Sequence, residues 1–299
     1  MILIKSIDQL RDYVRINRSK DFASYKPYII DAQQKYILPY FGQDIITALA
    51  QNNGDPLYSL ICSALAPFSL AMATPEIALN FGESGLTVTK TDTQAPASEA
   101  KIERAVQSLM ERAFVNLDIA LKFVAQHRGE YPAWTQSSFA QRLTTVLFPD
   151  AATFQIAGNI DIDYSPLTFH TLIPLIRRIE LTETMHLIPK AVQDQVIGNT
   201  LAPSLLSLLQ SYTASRVGSV ITSKESRTQR GRPRTLTDYS AITRPLFENL
   251  EADENFYQSQ AEAFKNAIFA ELIALGLINP DNIKFEWNEQ DKKIFTSIF

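Results

Sequence analysis

The sequence is poor in cysteine, because Cys62 is the only one among 299 residues. A single cysteine excludes an internal disulfide and a cysteine-rich zinc site. Cys62 lies in an apolar run with no histidine close in sequence, and free cysteine is usually buried, so we expect a structural thiol and not a nucleophile. The N-terminal apolar stretch is short, since Asp8 and Arg11 interrupt it before a signal-peptide core could form. This pattern predicts synthesis in the cytoplasm without a leader.

Long hydrophobic runs are also scarce. The longest, such as 60–72, are interrupted by Ser63, Pro67 and Ser69 and fall short of the roughly 20 residues that cross a bilayer. We therefore expect no contact with a membrane. The net charge of −4 argues against a protein devoted to coating nucleic acid. Hydrophobic residues (45%) and charged residues (20%) are as frequent as in ordinary folded domains, and at roughly 150 residues per domain the length predicts two domains.

The sequence motifs of catalysis are missing. There is no G-x-S-x-G, no P-loop and no G-x-G-x-x-G, which excludes common hydrolase and nucleotide-binding signatures. Glu183 and His186 form an E-x-x-H pair, but a carboxylate-bridged metal site needs a second such pair, and His127 and His170 do not supply one. We therefore predict no enzyme activity, no catalytic residue, no metal ligand and no cofactor.

A calcium-binding loop could begin at Asp161 and Asp163. The sixth position of that loop is Pro166, where the EF-hand turn requires glycine, and no suitably placed glutamate follows. We therefore expect the two aspartates to cap a helix or stabilise a turn.

Two long segments have helical periodicity. The first begins after Ser98, a predicted N-cap, and ends near Gly129, a predicted left-handed C-cap that Pro132 follows. The second ends at Gly276, with Pro280 just beyond it. In both, apolar residues recur at spacings of three or four and therefore share one face of the helix. The two predicted core stripes are Ile102, Val106, Leu109, Ala113, Leu117, Ala120 and Val124 in the first segment, and Phe264, Ile268, Leu272 and Leu275 in the second.

The segment around Pro39 recurs around Pro189, 150 positions later. Both copies read apolar, apolar, Pro, three variable residues, Gln, Asp. Proline is tolerated in the first turn of a helix, so both prolines are expected to open a short helix or to mark a kink. The predicted helix stops Gly129 and Gly276 are 147 positions apart. Two landmarks with nearly equal offsets predict an internal duplication.

These patterns predict a mainly α fold of two tandem helical-bundle units, each with a protruding loop or short β-hairpin arm. The first unit spans 1–160 and carries its arm at 82–97, where Leu86 and Val88 alternate with threonines as in a strand. The second unit spans 161–299 and carries a basic excursion at 216–237. The copies differ most at these excursions, so function is expected there and not in the shared helices.

The basic excursion is positively charged on a chain that is negative as a whole. Between residues 216 and 234 its only acidic residue is Glu225, and its local charge of +5 favours an anionic partner. The alternatives are a solvated loop, contact with DNA phosphates, and docking onto an acidic protein surface. Within it, Arg230-Gly231-Arg232-Pro233 resembles the AT-hook core, which lays arginines along the minor groove. The candidate contact residues are Arg216, Lys224, Arg227, Arg230, Arg232 and Arg234.

A further set of short patterns follows a fixed order along the chain. They are Tyr28-Ile29-Ile30-Asp31-Ala32, Tyr36-Ile37-Leu38-Pro39-Tyr40-Phe41-Gly42, an arm containing Gly85, Leu117-Asp118, Tyr131-Pro132-Ala133-Trp134 and Phe148-Pro149-Asp150. This order resembles a family of structural proteins of gut tailed phages and prophages, in particular the neck ring proteins of crAss-like phages. The resemblance runs through most of the chain, most clearly residues 20–200.

The resemblance implies a virion component made in the host cytoplasm and assembled as a homo-oligomeric ring, twelvefold, between portal and tail. Such head–tail connectors are helical, dock onto the portal protein and adjacent neck or tail rings through extended arms, and let genomic DNA pass through a channel. The family supplies no residue-level motif to transfer. The alternative function is that of a cytoplasmic DNA-binding accessory protein that acts through the basic loop 216–234.

Overall fold

A computed structural model describes residues 1–16, 21–77, 80–82, 85–87, 98–222 and 250–279. The fold is mainly α, as the periodicity predicted. The chain forms two compact units, of which unit 1 contains Met1–Arg142 and Ser165–Thr168, and unit 2 contains Leu143–Tyr164 and the described residues after Thr168.

The first segment of unit 1 ends at Arg142, earlier than the boundary near residue 160 that the repeat suggested. The residues between these points pack on helices of unit 2. The Gln210 amide donates to the Leu147 carbonyl at 2.7 Å, and Glu180 accepts hydrogen bonds from the same loop. These contacts group the segment with the second half of the chain.

Unit 1 contains eight α-helices and a two-stranded ladder among its described residues. A 3₁₀ helix at Phe22–Ser24 and a π-helix at Gln33–Ile37 flank the second α-helix. The α-helices are α1 (Ile7–Tyr13), α2 (Lys26–Ala32), α3 (Leu38–Phe41), α4 (Gln43–Gln51), α5 (Pro56–Ile77), α6 (Glu99–Gln126), α7 (Pro132–Thr135) and α8 (Ser138–Arg142).

The core of unit 1 is the pairing of α5 with α6, with α2 packed on α5. An aromatic cluster joins these elements: Tyr36 stacks on Phe68 with ring centroids 4.2 Å apart, and Phe114 meets Phe68 edge-on at 5.0 Å. Offset and edge-on ring pairs stabilise a core beyond simple area burial. The C-terminal half of the predicted α6 stripe, from Ala113 to Val124, is buried, whereas its N-terminal half is only partly covered.

The strands β1 (Asn80–Gly82) and β2 (Gly85–Thr87) pair antiparallel, with Phe81 opposite Leu86. The predicted strand around Leu86 is therefore present. The rest of the segment 82–97 lies outside the described residues, so a protruding arm there stays a prediction.

Unit 2 is built around α12 (Pro203–Thr222), which packs on α9 (Ala151–Gly158) and on α13 (Leu250–Ala274). A 3₁₀ helix at Thr184–Leu187 precedes α11 (Lys190–Ile197). The approach of α12 to α13 is close, because a Cβ atom at Gly218 would lie 2.7 Å from ring carbons of Tyr257. The remaining helices are α10 (Pro166–Thr182), whose first turn groups with unit 1, and α11 (Lys190–Ile197).

The predicted helix ends are mostly confirmed. Ser98 is the N-cap residue of α6, and Gly276 ends α13 with φ +66°, while Leu277 N–H donates to Leu272 O at 2.9 Å in a Schellman pattern. The left-handed cap predicted at Gly129 is wrong, because α6 already ends at Gln126. The core position predicted for Leu275 is also wrong: it lies beyond α13 and is exposed.

Both repeat prolines open helices, as predicted. Pro39 lies in the first turn of α3, and Pro189 is the N-cap of α11. The next apolar helix in each unit also begins with proline, at Pro56 and Pro203, which are 147 positions apart. Each unit thus contains, in this order, a helix, a helix opened by proline, an apolar helix and a long helix. The duplication itself stays a prediction.

By length and composition α5 could cross a membrane, with a mean hydropathy of 1.6 in its most apolar window. The expectation that Ser63, Pro67 and Ser69 would break this run was wrong. The two serine hydroxyls donate to the carbonyls of Leu60 and Leu65 within the helix, so their polarity is satisfied locally. The same window is 67% buried inside the protein, which is the packing of a core helix.

Candidate functional site

Arg216, the first of the candidate contact residues, is not in a loop. It lies in α12, and its guanidinium donates to both carboxylate oxygens of Glu183, at 2.5 and 3.4 Å. Burial alone would lower the pKa of Arg216, but the hydrogen bond and charge of Glu183 outweigh it and raise that pKa. The side chains of Arg216 and Glu183 are only 30% and 29% exposed. Its assignment to the basic excursion is therefore corrected: its charge is matched within unit 2.

The other candidate contact residues lie outside the described part of the chain. They are Lys224, Arg227, Arg230, Arg232 and Arg234. Because Arg216 belongs to α12, the remaining basic residues lie in 224–234, which we name the basic segment. It has five basic side chains and one acidic side chain, Glu225.

The E-x-x-H pair is divided between two local structures. Glu183 has non-helical backbone angles and bonds Arg216, whereas His186 lies in the following 3₁₀ helix. Within the described residues no group of three or more His, Cys, Asp or Glu side chains is placed to hold a metal ion.

Asp161 stabilises a turn, as predicted. Its Oδ1 accepts the N–H of Asp163 at 2.9 Å, which is an Asx turn. Asp163 and Tyr164 both have left-handed backbone angles, with φ of 55° and 51°. The Gln155 side chain supports this turn by accepting the N–H groups of Ile162 and Tyr164.

Cys62 is fully buried in α5, as expected for a structural thiol. Burial raises the pKa of Cys62 to about 12. The thiolate, which is the reactive form, is therefore suppressed at neutral pH.

Two buried carboxylates fix irregular backbone to helices. Asp118 in α6 accepts the Ser165 hydroxyl at 2.7 Å and the Leu167 N–H at 3.4 Å. Ser165 in turn accepts the N–H of Thr168, so it caps the start of α10. Burial raises the pKa of Asp118, although these hydrogen bonds and Lys122 oppose the rise.

Glu180 plays the corresponding role in unit 2. Its carboxylate accepts the Thr145 hydroxyl at 2.6 Å and the Leu147 N–H at 3.0 Å. Burial raises the pKa of Glu180 against the opposing effect of these bonds. Both carboxylates are thus occupied by scaffold contacts.

Unit 1 contains a cavity of about 280 Å³ between α4 and the start of α7. Buried Ile45 and Leu49 line its interior, while Asn52 and Glu130 are exposed at its edge. Tyr131 and the partly exposed Asp55 complete the polar side, where the Tyr131 hydroxyl donates to Asp55 Oδ1 at 2.7 Å. We name this cavity the α4–α7 pocket.

Local structure fixes the polar side of the α4–α7 pocket. Asp55 Oδ1 also accepts the N–H of Leu57 at 2.8 Å, so this carboxylate caps α5. Burial and the bond to Asp55 raise the pKa of Tyr131, which therefore stays a neutral donor. Nearby, the Trp134 indole N–H donates to the Tyr40 carbonyl at 3.0 Å and anchors α7.

The α4–α7 pocket combines an apolar interior with two carboxylates and a side-chain amide. It is slightly smaller than the roughly 300–1,000 Å³ usual for small-molecule sites. Its chemistry suits a long side chain with an apolar stem and a cationic end. No sequence pattern predicted this pocket. Tyr131-Pro132-Ala133-Trp134 marked one wall as packed structure, but nothing in the sequence places it beside α4.

Residues 23–142 are similar to a family of unknown function (DUF6712). This is less than half of the 299-residue chain, and it lies within unit 1, ending at the same residue as the first segment of that unit. No curated protein and no solved structure matches the chain.

Proposed function

We propose that this protein is a virion structural protein of a tailed phage, a ring-forming neck adaptor between portal and tail. Its helical units form the ring wall around a channel for DNA. Its partners are further copies of itself, the portal protein and adjacent neck or tail rings. The sequence resemblance to neck ring proteins motivates this proposal.

The observation that carries the proposal is an exposed apolar pair on α6. Val115 and Ile119 are one helical turn apart and are 52% and 45% exposed. Scattered single apolar residues are normal on a surface, whereas exposed apolar side chains that adjoin on one helix face favour a protein contact. Exposed large apolar residues also occur in unit 2, at Ile156, Leu181 and Ile197. These side chains favour a protein that docks onto other proteins.

The proposal is tested by assembly with portal protein. Purified wild-type protein should form rings on portal, visible by negative-stain electron microscopy and as a discrete high-mass species in mass photometry. The double variant Val115→Lys/Ile119→Lys should lose at least about tenfold in affinity, because it places charges in a desolvated contact. Its melting temperature should be unchanged, since both side chains are exposed.

Ala105→Lys is the matched control, because it adds a charge at another exposed position of α6. It should assemble as the wild type does. A strict monomer that never binds portal would reject the neck-adaptor function.

The alternative function is that of a cytoplasmic DNA-binding accessory protein. Five basic residues in the basic segment, including the Arg230-Gly231-Arg232-Pro233 motif, favour it. It predicts salt-dependent binding to duplex DNA that is lost in Arg230→Ala/Arg232→Ala, measured by fluorescence anisotropy at several salt concentrations. Binding that the double substitution leaves unchanged would reject it.

A further inference from the structure

The α4–α7 pocket of unit 1 has the size and the chemistry to accept a long side chain. Its interior offers aliphatic surface from Ile45 and Leu49, and its edge carries the carboxylates of Asp55 and Glu130. An arginine matches both features, since its stem packs on apolar surface and its planar guanidinium pairs with carboxylates. Arginine is also among the residues that most often anchor protein interfaces in pockets.

The chain itself contains a segment of this chemistry. The basic segment, residues 224–234, has four arginines and one lysine against a single glutamate. Arg230 lies eight residues beyond Thr222, the end of α12, so an extended chain could place it up to roughly 28 Å from that helix. This reach allows contact with a neighbouring molecule.

A ring requires two different surfaces on one chain that complement each other. In a head-to-tail interface, one surface of each copy binds another surface of the next. The acidic edge of the α4–α7 pocket and the basic segment are complementary in charge.

We propose that the α4–α7 pocket of one copy binds an arginine of the basic segment of a second copy, and that this contact forms part of the head-to-tail interface. This inference rests on the proposed ring-forming function and names the residues that join its subunits. The Asp55 and Glu130 carboxylates pair with the guanidinium, while Ile45 and Leu49 cover its aliphatic stem.

Two pocket variants test this contact without disturbing the core. Glu130→Arg reverses a charge at an exposed position, and Ala48→Trp fills the pocket from its exposed mouth. The segment variant is the fourfold substitution Arg227→Glu/Arg230→Glu/Arg232→Glu/Arg234→Glu. The matched control for the pocket is Glu103→Arg, at an exposed position of α6.

Self-association of the full chain is measured by sedimentation velocity, and unchanged melting temperatures establish that the variants are folded. Each pocket variant and the segment variant should weaken association by about tenfold or more. Glu130→Arg and the segment variant each remove one side of a charge pair, and Ala48→Trp occupies the space of the arginine. Glu103→Arg should leave it unchanged. Combining Glu130→Arg with the segment variant in one chain should restore part of the loss, since the charges are then exchanged.

Mixing distinguishes contact between copies from contact within one copy. The Ala48→Trp protein keeps an intact basic segment but has a blocked pocket. The fourfold variant keeps an intact pocket but has lost the arginines of its basic segment. Mixed together they should form a heterodimer and nothing larger. If neither the mixture nor the charge exchange restores association, the contact between copies is rejected.

Three further results separate this inference from the proposed function. Rings on portal that all the variants leave intact would overturn the inference and leave the neck-adaptor function standing. A wild-type protein that neither self-associates nor binds portal would overturn both. If the segment variant loses binding to duplex DNA while self-association is unchanged, the segment binds DNA and the inference fails.

Discussion

Three buried polar side chains, Gln33, Asp118 and Glu180, each hold irregular backbone against a helix. Gln33, at the start of the π-helix, accepts the N–H of Leu3 at 2.9 Å and donates to the Met1 carbonyl at 2.8 Å. Such groups stabilise a fold only while their partners are present, because a buried donor left without an acceptor costs free energy. They are therefore the residues at which a small change should matter most.

Asp118→Ala should lower the free energy of unfolding by about 2–3 kcal/mol, because it leaves the Ser165 hydroxyl and the Leu167 N–H without their acceptor. Urea denaturation measures the change. Asp118→Asn, which keeps one acceptor oxygen, should lose less. Glu103→Ala on the exposed face of the same helix is the control, with an expected change of about 0.5 kcal/mol or less. Equal losses in the alanine variant and the control would contradict the role of Asp118.

Glu180 should make stability depend on pH. Burial raises its pKa above the ordinary 4.5, so the folded state holds this proton more tightly than the unfolded state does. The free energy of unfolding contributed by this group therefore falls as pH rises from about 4.5 through the raised pKa, and is constant above it. Glu180→Gln removes the titration and should flatten this part of the profile, measured by urea denaturation at fixed pH values. An unchanged slope would refute the assignment.

At the scale of elements, the core of each unit is a pair of long helices, α5 with α6 in unit 1 and α12 with α13 in unit 2. In unit 1 large aromatic rings fill the space beside α5 and α6. In unit 2 the helices approach closely through small residues: a Cβ at Gly158 would lie 2.6 Å from Ala214 Cβ, and one at Gly218 would lie 2.7 Å from Tyr257. Close packing of this kind tolerates little added volume.

Gly218→Ala should therefore destabilise the protein by about 1–3 kcal/mol, despite the better helix propensity of alanine, because the added methyl must displace the Tyr257 ring. Thermal unfolding followed by circular dichroism measures this change. Gly129→Ala is the matched control, since a Cβ there meets nothing within 4 Å. A Gly218→Ala protein as stable as the control would show that α13 can shift without cost.

At the scale of the whole molecule, charge is unevenly distributed along the chain. The net charge is −4, yet the basic segment carries five basic residues against Glu225. A contact between this segment and the acidic edge of the α4–α7 pocket would be electrostatic in large part, whereas a contact through Val115 and Ile119 would be apolar. Salt separates the two, because it screens charges and strengthens effective apolar burial.

Raising sodium chloride from about 50 mM to about 500 mM should weaken self-association, since the Debye length falls several-fold over this range. Sedimentation velocity at matched protein concentrations provides the measurement, and Glu130→Arg should show a smaller salt effect. Association that strengthens with salt would contradict the charged contact and favour an apolar interface.

The sequence by itself determined that the fold is mainly helical, and it marked the ends of several helices. The periodicity of apolar residues predicts the buried stripe of α6. Ser98 and Gly276 mark the ends of helices, and helices open at Pro39 and Pro189. These signals are readable from sequence because caps and breakers act through bonds only a few residues away. Gly129 failed as a cap, since the backbone of His127, at φ −107° and ψ 34°, already leaves the helical region and ends α6 at Gln126.

Only the tertiary structure decided what these helices bring together. It brought Asp55 and Tyr131 together in one pocket and Arg216 beside Glu183, pairs that are 76 and 33 residues apart in sequence. It also assigned residues 143–160 to unit 2, because Glu180 and Gln210 bind their backbone. Packing across the chain decides such contacts, and local pattern carries no information about which distant side chain will supply the partner.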